Sequence, residues 1–178
     1  MKKYLIQFKP FLIFISIFFA SYILLTLIYR SYLNSFANNE VDGITNLQGQ
    51  QVEYLMRFFG SNVEIVKNSA DSFLDIWYNN KNFIRIVEGC NAVSIIILFI
   101  SFVVSFSGKI KNTVLFILFG IAVIYILNIV RIALLTILLF HFPGNQQILH
   151  GVLFPLIIYG IVFILWIIWV NKFSKYAK

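Results

Sequence analysis

Residues 11–29 read FLIFISIFFASYILLTLIY, an uncharged run of 19 residues. At a rise of about 1.5 Å per residue, a helix of this length crosses a hydrocarbon core of about 30 Å. Further apolar runs of similar length occupy residues 90–107, 113–131 and 151–170. The chain is 60% apolar and only 12% charged, which is typical of membrane proteins and excludes an ordinary soluble domain. We therefore predict an all-α integral membrane protein, a single membrane domain over residues 1–178 with about four transmembrane helices.

A fifth apolar run, residues 132–142, has only 11 residues and cannot span a bilayer alone. It follows Arg131 directly and ends in the turn-forming cluster Phe142-Pro-Gly-Asn145. If it crossed the membrane, the last span would be reversed. We therefore expect a separate short helix that is re-entrant, interfacial or packed on the outer side.

The charges are divided between segments in a way that orients the chain. Basic residues without any acid flank the spans in three short stretches, at Lys2, Lys3 and Lys9, at Lys109 and Lys111, and at Lys172, Lys175 and Lys178. Six of the seven acidic residues fall in residues 30–87 and the seventh follows this segment directly: they are Glu40, Asp42, Glu53, Glu64, Asp71, Asp75 and Glu88. By the positive-inside rule, residues 30–87 are extracytoplasmic and both termini are cytoplasmic. The net charge of +7 is then a topology signal and gives no support for nucleic-acid binding.

The first span is expected to remain as an uncleaved anchor. Ser35-Phe36-Ala37 offers the small residues that a signal peptidase favours. The apolar run before it is longer than the apolar region of a typical signal peptide. Cleavage after this run is therefore disfavoured.

The extracytoplasmic segment contains patterns of both helix and strand. Residues 46–59 carry a partial apolar stripe at helical spacing, which suits a helix on the bilayer surface or a cap packed on the bundle. Residues 63–66, 73–77 and 83–87 are short β-prone stretches, and Asn79-Asn80-Lys81-Asn82 is a good turn between the last two. A small β-hairpin leading into Cys90 would offer an edge to an extended substrate peptide.

Three polar residues border the apolar runs and share the outer face in this topology. Cys90, the only cysteine, begins the second run, Arg131 ends the third, and His150 precedes the last. The positive end of a helix dipole beside Cys90 favours the nucleophilic thiolate. His150 is suited to moving the thiol proton, and Arg131 to stabilising an oxyanion. These residue types predict a thiol-based catalytic site.

Each of these residues also has a structural interpretation that the sequence leaves open. Cys90 suits a small apolar side chain in a helix, and Arg131 a charge that extends to the interface. Asn128 shares a helical face with Arg131, where it can orient Arg131, donate to the oxyanion or bond a neighbouring helix. Glu88 is either one half of a solvated surface pair with Arg85 or, with Asn91, a supporting residue of the site.

The sequence also resembles a known family. EGCNAV at residues 88–93, NIVR at 128–131 and His150 before the last span are similar to the Cys, Arg and His motifs of the exosortase and archaeosortase family, most of all its compact exosortase F branch. The resemblance covers residues 83–170. Many members read Cys-Ser-Gly or Cys-Thr-Gly where this chain has Cys90-Asn91-Ala92, and many carry more spans.

The resemblance implies a membrane-embedded cysteine transpeptidase or protease at the outer face of the bacterial cytoplasmic membrane. Its substrates would be proteins with a C-terminal sorting signal, made of a short motif, an apolar helix and a basic tail, cut through an acyl-thioester. Cys90 would be the nucleophile, His150 the general acid and base, and Arg131 the oxyanion or thiolate partner. Its partners would be the bilayer, these substrate proteins and a small membrane protein that completes the bundle, with no nucleic acid.

Two other function classes stay open. The first is a non-catalytic assembly or chaperone subunit of an export or surface-anchoring system. The second is a transporter or channel component in which Arg131 binds an anion, although no span carries a midplane acid. No cofactor is expected, and one cysteine with two well-separated histidines does not make a zinc site.

Overall fold

A computed structural model of the chain describes residues 8–37, 39–106 and 108–174. Lys2, Lys3, Lys175 and Lys178, which contribute to the predicted orientation, and Ser107, the predicted end of the second span, lie outside these residues. The longer elements are, in chain order, α1 Lys9–Leu33, α2 Gly43–Phe58, β1 Val63–Lys67, β2 Leu74–Tyr78, β3 Lys81–Ile86, α3 Val93–Ser105, α4 Ile110–His141 and α5 Phe154–Lys172.

The four predicted spans correspond to α1, α3, α4 and α5. By length and apolar composition, α1, α4 and the helical stretch that ends in α5 are long enough to cross a membrane. Helix α3 has 13 residues, a length of about 20 Å, so it is the short member of the bundle. The prediction of a predominantly helical multi-pass membrane protein is confirmed.

Helix α4 differs from its prediction in one respect. It does not end at Arg131 but continues to His141, so residues 132–141 are its last turns and not a separate helix. No residue between 125 and 141 breaks a helix, and Ile132, Leu135 and Leu139 are spaced to bury one face. Arg131 thus marks a change of surroundings along the helix and not its end. The predicted turn after Phe142 is confirmed, as the short 3₁₀ helix Pro143–Asn145.

The buried apolar residues form two clusters, and α4 belongs to both. One cluster holds α3, the first half of α4 and α5 together, with Phe99, Ile124 and Trp169 fully enclosed. Gly120 lets the Phe99 ring approach α4, because a Cβ at this position would lie 2.2 Å from the ring. The other cluster joins α2, the sheet and the last turns of α4. We call residues 41–86 together with 132–141 the cap.

Helix α1 packs along α3 but buries none of its side chains completely. Its Phe14 ring lies 5.9 Å from Phe102 and 4.6 Å from Phe106, measured between ring centroids. Most of its other apolar side chains are open, as expected for a helix that faces lipid.

The cap confirms the helix and the hairpin predicted for residues 30–87. Asp42 caps α2 by accepting hydrogen bonds of 3.0 Å from the N–H groups of Ile44 and Thr45. Helix α2 packs on α4 and β1, the packed-cap alternative of the two predicted placements. Strands β2 and β3 form an antiparallel hairpin. Asn79 and Asn80 have φ of 48° and 62°, the left-handed conformation that a tight hairpin turn requires.

Candidate active site

Cys90 lies on a short irregular connection between the sheet and the membrane bundle. Strand β3 ends at Ile86, and Glu88–Cys90 forms one 3₁₀ turn in which the Cys90 N–H donates to the Val87 carbonyl at 2.8 Å. Ala92 then has φ of 62°, so α3 begins only at Val93, three residues later than predicted. The change of direction at Ala92 separates Cys90 from the helix and turns it towards the cap.

Asn91 anchors this connection from the other side. Its buried side chain donates hydrogen bonds to the Tyr29 hydroxyl at 2.8 Å and the Thr45 hydroxyl at 3.1 Å, and accepts one from the Val93 N–H at 3.0 Å. The turn is therefore tied to α1, α2 and the start of α3 together. Asn91 holds Cys90 in place and does not itself line the cavity described below.

Asn128 connects Cys90 with Arg131. Its side-chain N–H donates to the Cys90 carbonyl at 2.6 Å, and its oxygen accepts a hydrogen bond from Arg131 Nη1 at 3.2 Å. The spacing of three residues places Asn128 and Arg131 on one face of α4. Of the roles predicted for Asn128, orientation of Arg131 is the one that this geometry supplies.

Cys90, Arg131 and His150 line one cavity of about 380 Å³, a volume typical of ligand sites. The chain brings His150 there on a π-helical turn, Leu149–Leu153, that runs directly into α5. Cys90 is half-buried, and His150 is open to the cavity. The sequence had associated these three residues only through their expected depth, whereas the structure places them around a common space.

The cavity is cationic. Arg131 and Arg85 line it, and none of the described residues that line it is an Asp or Glu. Arg131 Nε is buried and has no hydrogen-bond partner among the described residues. A buried donor without a partner is costly unless a ligand or transition state completes it. The site is therefore suited to a thiolate, a substrate carbonyl or an oxyanion.

Two polar residues of the cavity were not among the predicted site residues. Gln146 precedes His150 by four residues, a helical spacing that could have indicated it. Arg85 lies on β3, and its guanidinium sits 4.5 Å from the centre of the Phe73 ring. Its contribution depends on the hairpin and could not be read from spacing.

Glu88 and His141 lie away from the cavity. The Glu88 side chain is exposed and lines a second, acidic depression with Glu40 and Asp42. His141 ends α4 and contacts the rings of its neighbours Phe140 and Phe142. Within the described part of the chain, no group of three or more His, Cys, Asp or Glu is arranged to hold a metal ion.

Comparison with known proteins gives one family. The family model described as "Transmembrane exosortase (Exosortase_EpsH)" matches residues 8–171, which is nearly the whole chain. No curated protein and no solved structure matches.

Proposed function

Because the chain belongs to the transmembrane exosortase family, we propose that it is a membrane-embedded cysteine transpeptidase that cuts and sorts proteins bearing a C-terminal motif, apolar helix and basic tail. The observation that carries this proposal is the single cavity shared by Cys90, Arg131 and His150. A nucleophile, a proton carrier and a cationic donor are the three groups that acyl transfer requires. The subtype proposed is the compact exosortase F type.

In the first half-reaction, His150 accepts the Cys90 thiol proton and Sγ attacks the carbonyl carbon of the scissile peptide bond. The tetrahedral oxyanion is stabilised by Arg131, whose buried Nε has a donor to spare. The C–N bond then breaks, and His150 returns the proton to the leaving amine. The products are an acyl-thioester on Cys90 and the released apolar helix with its basic tail.

In the second half-reaction, water or an amine attacks the thioester carbonyl while His150 removes its proton. The C–S bond breaks and the Cys90 thiolate is regenerated. An amine acceptor gives sorting by transpeptidation, and water gives hydrolysis. Both routes use the same three side chains, so the proposal requires no cofactor.

We place this chemistry at the outer face of the bacterial cytoplasmic membrane, with both termini inside, because the acidic residues lie in residues 30–88 and the short lysine-rich stretches lie on the other side of the spans. The sorting signal would then reach Cys90 from the side on which the substrate's exported domain lies. Its apolar helix would remain in the bilayer beside the bundle.

The decisive test is processing in cells of a reporter that carries the C-terminal motif, helix and tail of a protein encoded beside this chain. Cys90→Ala and Cys90→Ser, inserted at wild-type level, should both leave the reporter uncut, because an alkoxide is far harder to form than a thiolate. Hydroxylamine should release the acyl group from wild-type Cys90 as a hydroxamate. Full processing by Cys90→Ala would overturn the proposal and favour the non-catalytic assembly subunit.

A further inference from the structure

The two edges of the three-stranded sheet differ in whether another element covers them. The order is β1-β2-β3, so β1 and β3 are the edge strands. Helix α2 covers the β1 edge, where Arg57 Nε donates to the Val63 carbonyl at 2.9 Å and Glu53 accepts from the Ile65 N–H at 3.3 Å. Arg57 and Glu53 also form an ion pair of 2.6 Å. Two backbone groups of this edge are thereby satisfied by side chains.

The β3 edge has no such cover. The described residues outside the sheet give Lys81–Ile86 no backbone hydrogen bond. In an antiparallel ladder, the backbone groups of successive residues face opposite edges. In β1 the backbone groups of the odd-numbered residues face α2, so those of the even-numbered residues face β2. The register across the sheet then directs the backbone groups of Ile84 and Ile86 towards their β2 partners Ile76 and Leu74. The N–H and C=O of Arg85 therefore point outwards from the sheet.

This open edge faces the candidate active site. Ile84, Arg85 and Ile86 all line the same cavity as Cys90. Successive side chains of a strand point to opposite faces, so three consecutive residues line one space only when the edge itself faces it. The opposite wall is the apolar face of α4, formed by Ile132, Leu135 and Leu139.

We propose that an extended segment of the substrate polypeptide, next to its scissile bond, binds as a fourth strand on β3 and pairs its backbone with the N–H and C=O of Arg85. This inference rests on the function proposed above and adds how the substrate is held. Only three residues separate Ile86 from Cys90, so a chain paired with β3 runs past the thiol. Pairing through the backbone supplies affinity for the substrate, and the apolar wall of α4 selects among the side chains of the bound substrate segment.

The occupant is a single extended chain and not the sheet of a second copy. The edge opens into a partly open space of about 380 Å³ between β3 and α4, which suits one strand of peptide. The nucleophile stands in the wall of that space. If the β3 edges of two copies paired instead, Cys90 would lie in the dimer interface, where no substrate carbonyl could reach it.

The test uses the rate at which Cys90 is alkylated by acetyl-Ala-Ala-Ala-Val chloromethyl ketone, with full-length protein in lipid nanodiscs. Each backbone N–H of the probe is methylated in turn. Because the Arg85 carbonyl accepts from one N–H of the probe and the adjacent N–H groups face the other way, labelling should slow by about three- to tenfold at one methylation and little at its neighbours. Iodoacetamide, which has no peptide backbone, reports the intrinsic thiol reactivity.

Two variants at one position test the protein side. Arg85→Ala removes the guanidinium but keeps the outward N–H, whereas Arg85→Pro also removes that N–H from an edge where proline is tolerated. Arg85→Pro should label with the probe about three- to tenfold more slowly than Arg85→Ala at equal iodoacetamide rates. Equal probe rates for the two, or the same loss at adjacent methylations, would overturn the inference. Alkylation reports binding beside a thiol and no turnover, so this result is independent of whether Cys90→Ala abolishes processing.

Discussion

The side-chain amide of Asn128 donates a hydrogen bond of 2.6 Å to the backbone carbonyl of Cys90. Its oxygen is occupied as well, by the Arg131 guanidinium. The oxygen and one N–H of the amide are thus used within the protein, and Asn128 is not among the residues that line the cavity. In the proposed reaction, its role would be to position Cys90 and Arg131.

Asn128→Asp should lower the rate of reporter processing by at least about tenfold, because it keeps an acceptor for Arg131 but loses the donor to Cys90. An unpaired buried carbonyl costs about 1–3 kcal/mol, so thermal unfolding should shift as well. Thr136→Val is the matched control: Thr136 is equally buried on α4, but its hydroxyl bonds only the Ile132 carbonyl of its own helix. The control should change stability and leave processing intact. A similar loss of processing in both variants would remove the positioning role.

Arg131→Lys should impair processing severely, because lysine keeps the charge but cannot bond Asn128 and the reacting oxygen with one planar group. Oxyanion donors of this kind are worth about 10²–10³ in rate. The measurement is processing at matched expression, with Arg57→Lys on the cap surface as the control for arginine replacement. Near-normal activity of Arg131→Lys would show that only interfacial charge is needed.

His150→Ala should abolish processing, because a proton carrier contributes about 10²–10⁴ in rate. His141→Ala is its natural counterpart: this histidine is also exposed but lies outside the cavity, so its replacement should cost less than about twofold. Processing of the reporter is compared for the two variants at equal membrane abundance. Equal losses would mean that the proton carrier is misassigned or that the segment between the histidines is needed as a whole.

The parts of this molecule that follow from local pattern were predictable, and those that depend on packing were not. Apolar length indicated α1 and α5 within a few residues, and Asn79-Asn80 indicated the hairpin turn, because these signals are local. The sequence did not indicate that α4 continues beyond Arg131, because the cause is a tertiary contact: Leu135 and Leu139 are buried against residues 41–86 of the cap.

The candidate site shows the same division. Cys90, Arg131 and His150 stood out by residue type and by their places at the ends of apolar runs. The role of Arg85 was not visible, since it depends on strand register and on which edge α2 covers. Glu88 is only two residues before Cys90 in sequence but lines another depression, because the 3₁₀ turn directs the two side chains apart.

Ala92→Gly should be nearly neutral for stability, although Ala92 is buried. Its φ of 62° costs about 1–2 kcal/mol for a residue with a Cβ, which glycine avoids and which offsets the lost methyl contacts. Ala133→Gly, at a buried position inside α4, has no such relief and should lose at least about 1 kcal/mol. Thermal unfolding in detergent checks both. A greater loss at Ala92 than at Ala133 would contradict the strain argument.

The orientation is tested with single cysteines placed in the Cys90→Ala background. Thiol reagents that cannot cross the membrane should label replacements of Asn80 and Asn145 in intact cells. A Lys111 replacement should be labelled only after the membrane is opened, since it lies in the first turn of α4, directly after the short basic connection. Labelling of Lys111 from outside would reverse the orientation and place the cavity on the other face.

Because α4 belongs to both buried clusters, it also limits the order in which the parts of the protein can fold during synthesis. Residues 41–86 leave the ribosome well before residues 132–141, yet part of their apolar face is buried against those last turns of α4. This part of the cap therefore stays uncovered until the end of α4 has been made and can pack against it. Such non-local closure is slow and exposes strands to mispairing in the interval. Because Gln146 and His150 also line the Cys90 cavity, it is complete only after residues beyond α4 have been made, so no intermediate that ends within α4 carries an assembled site.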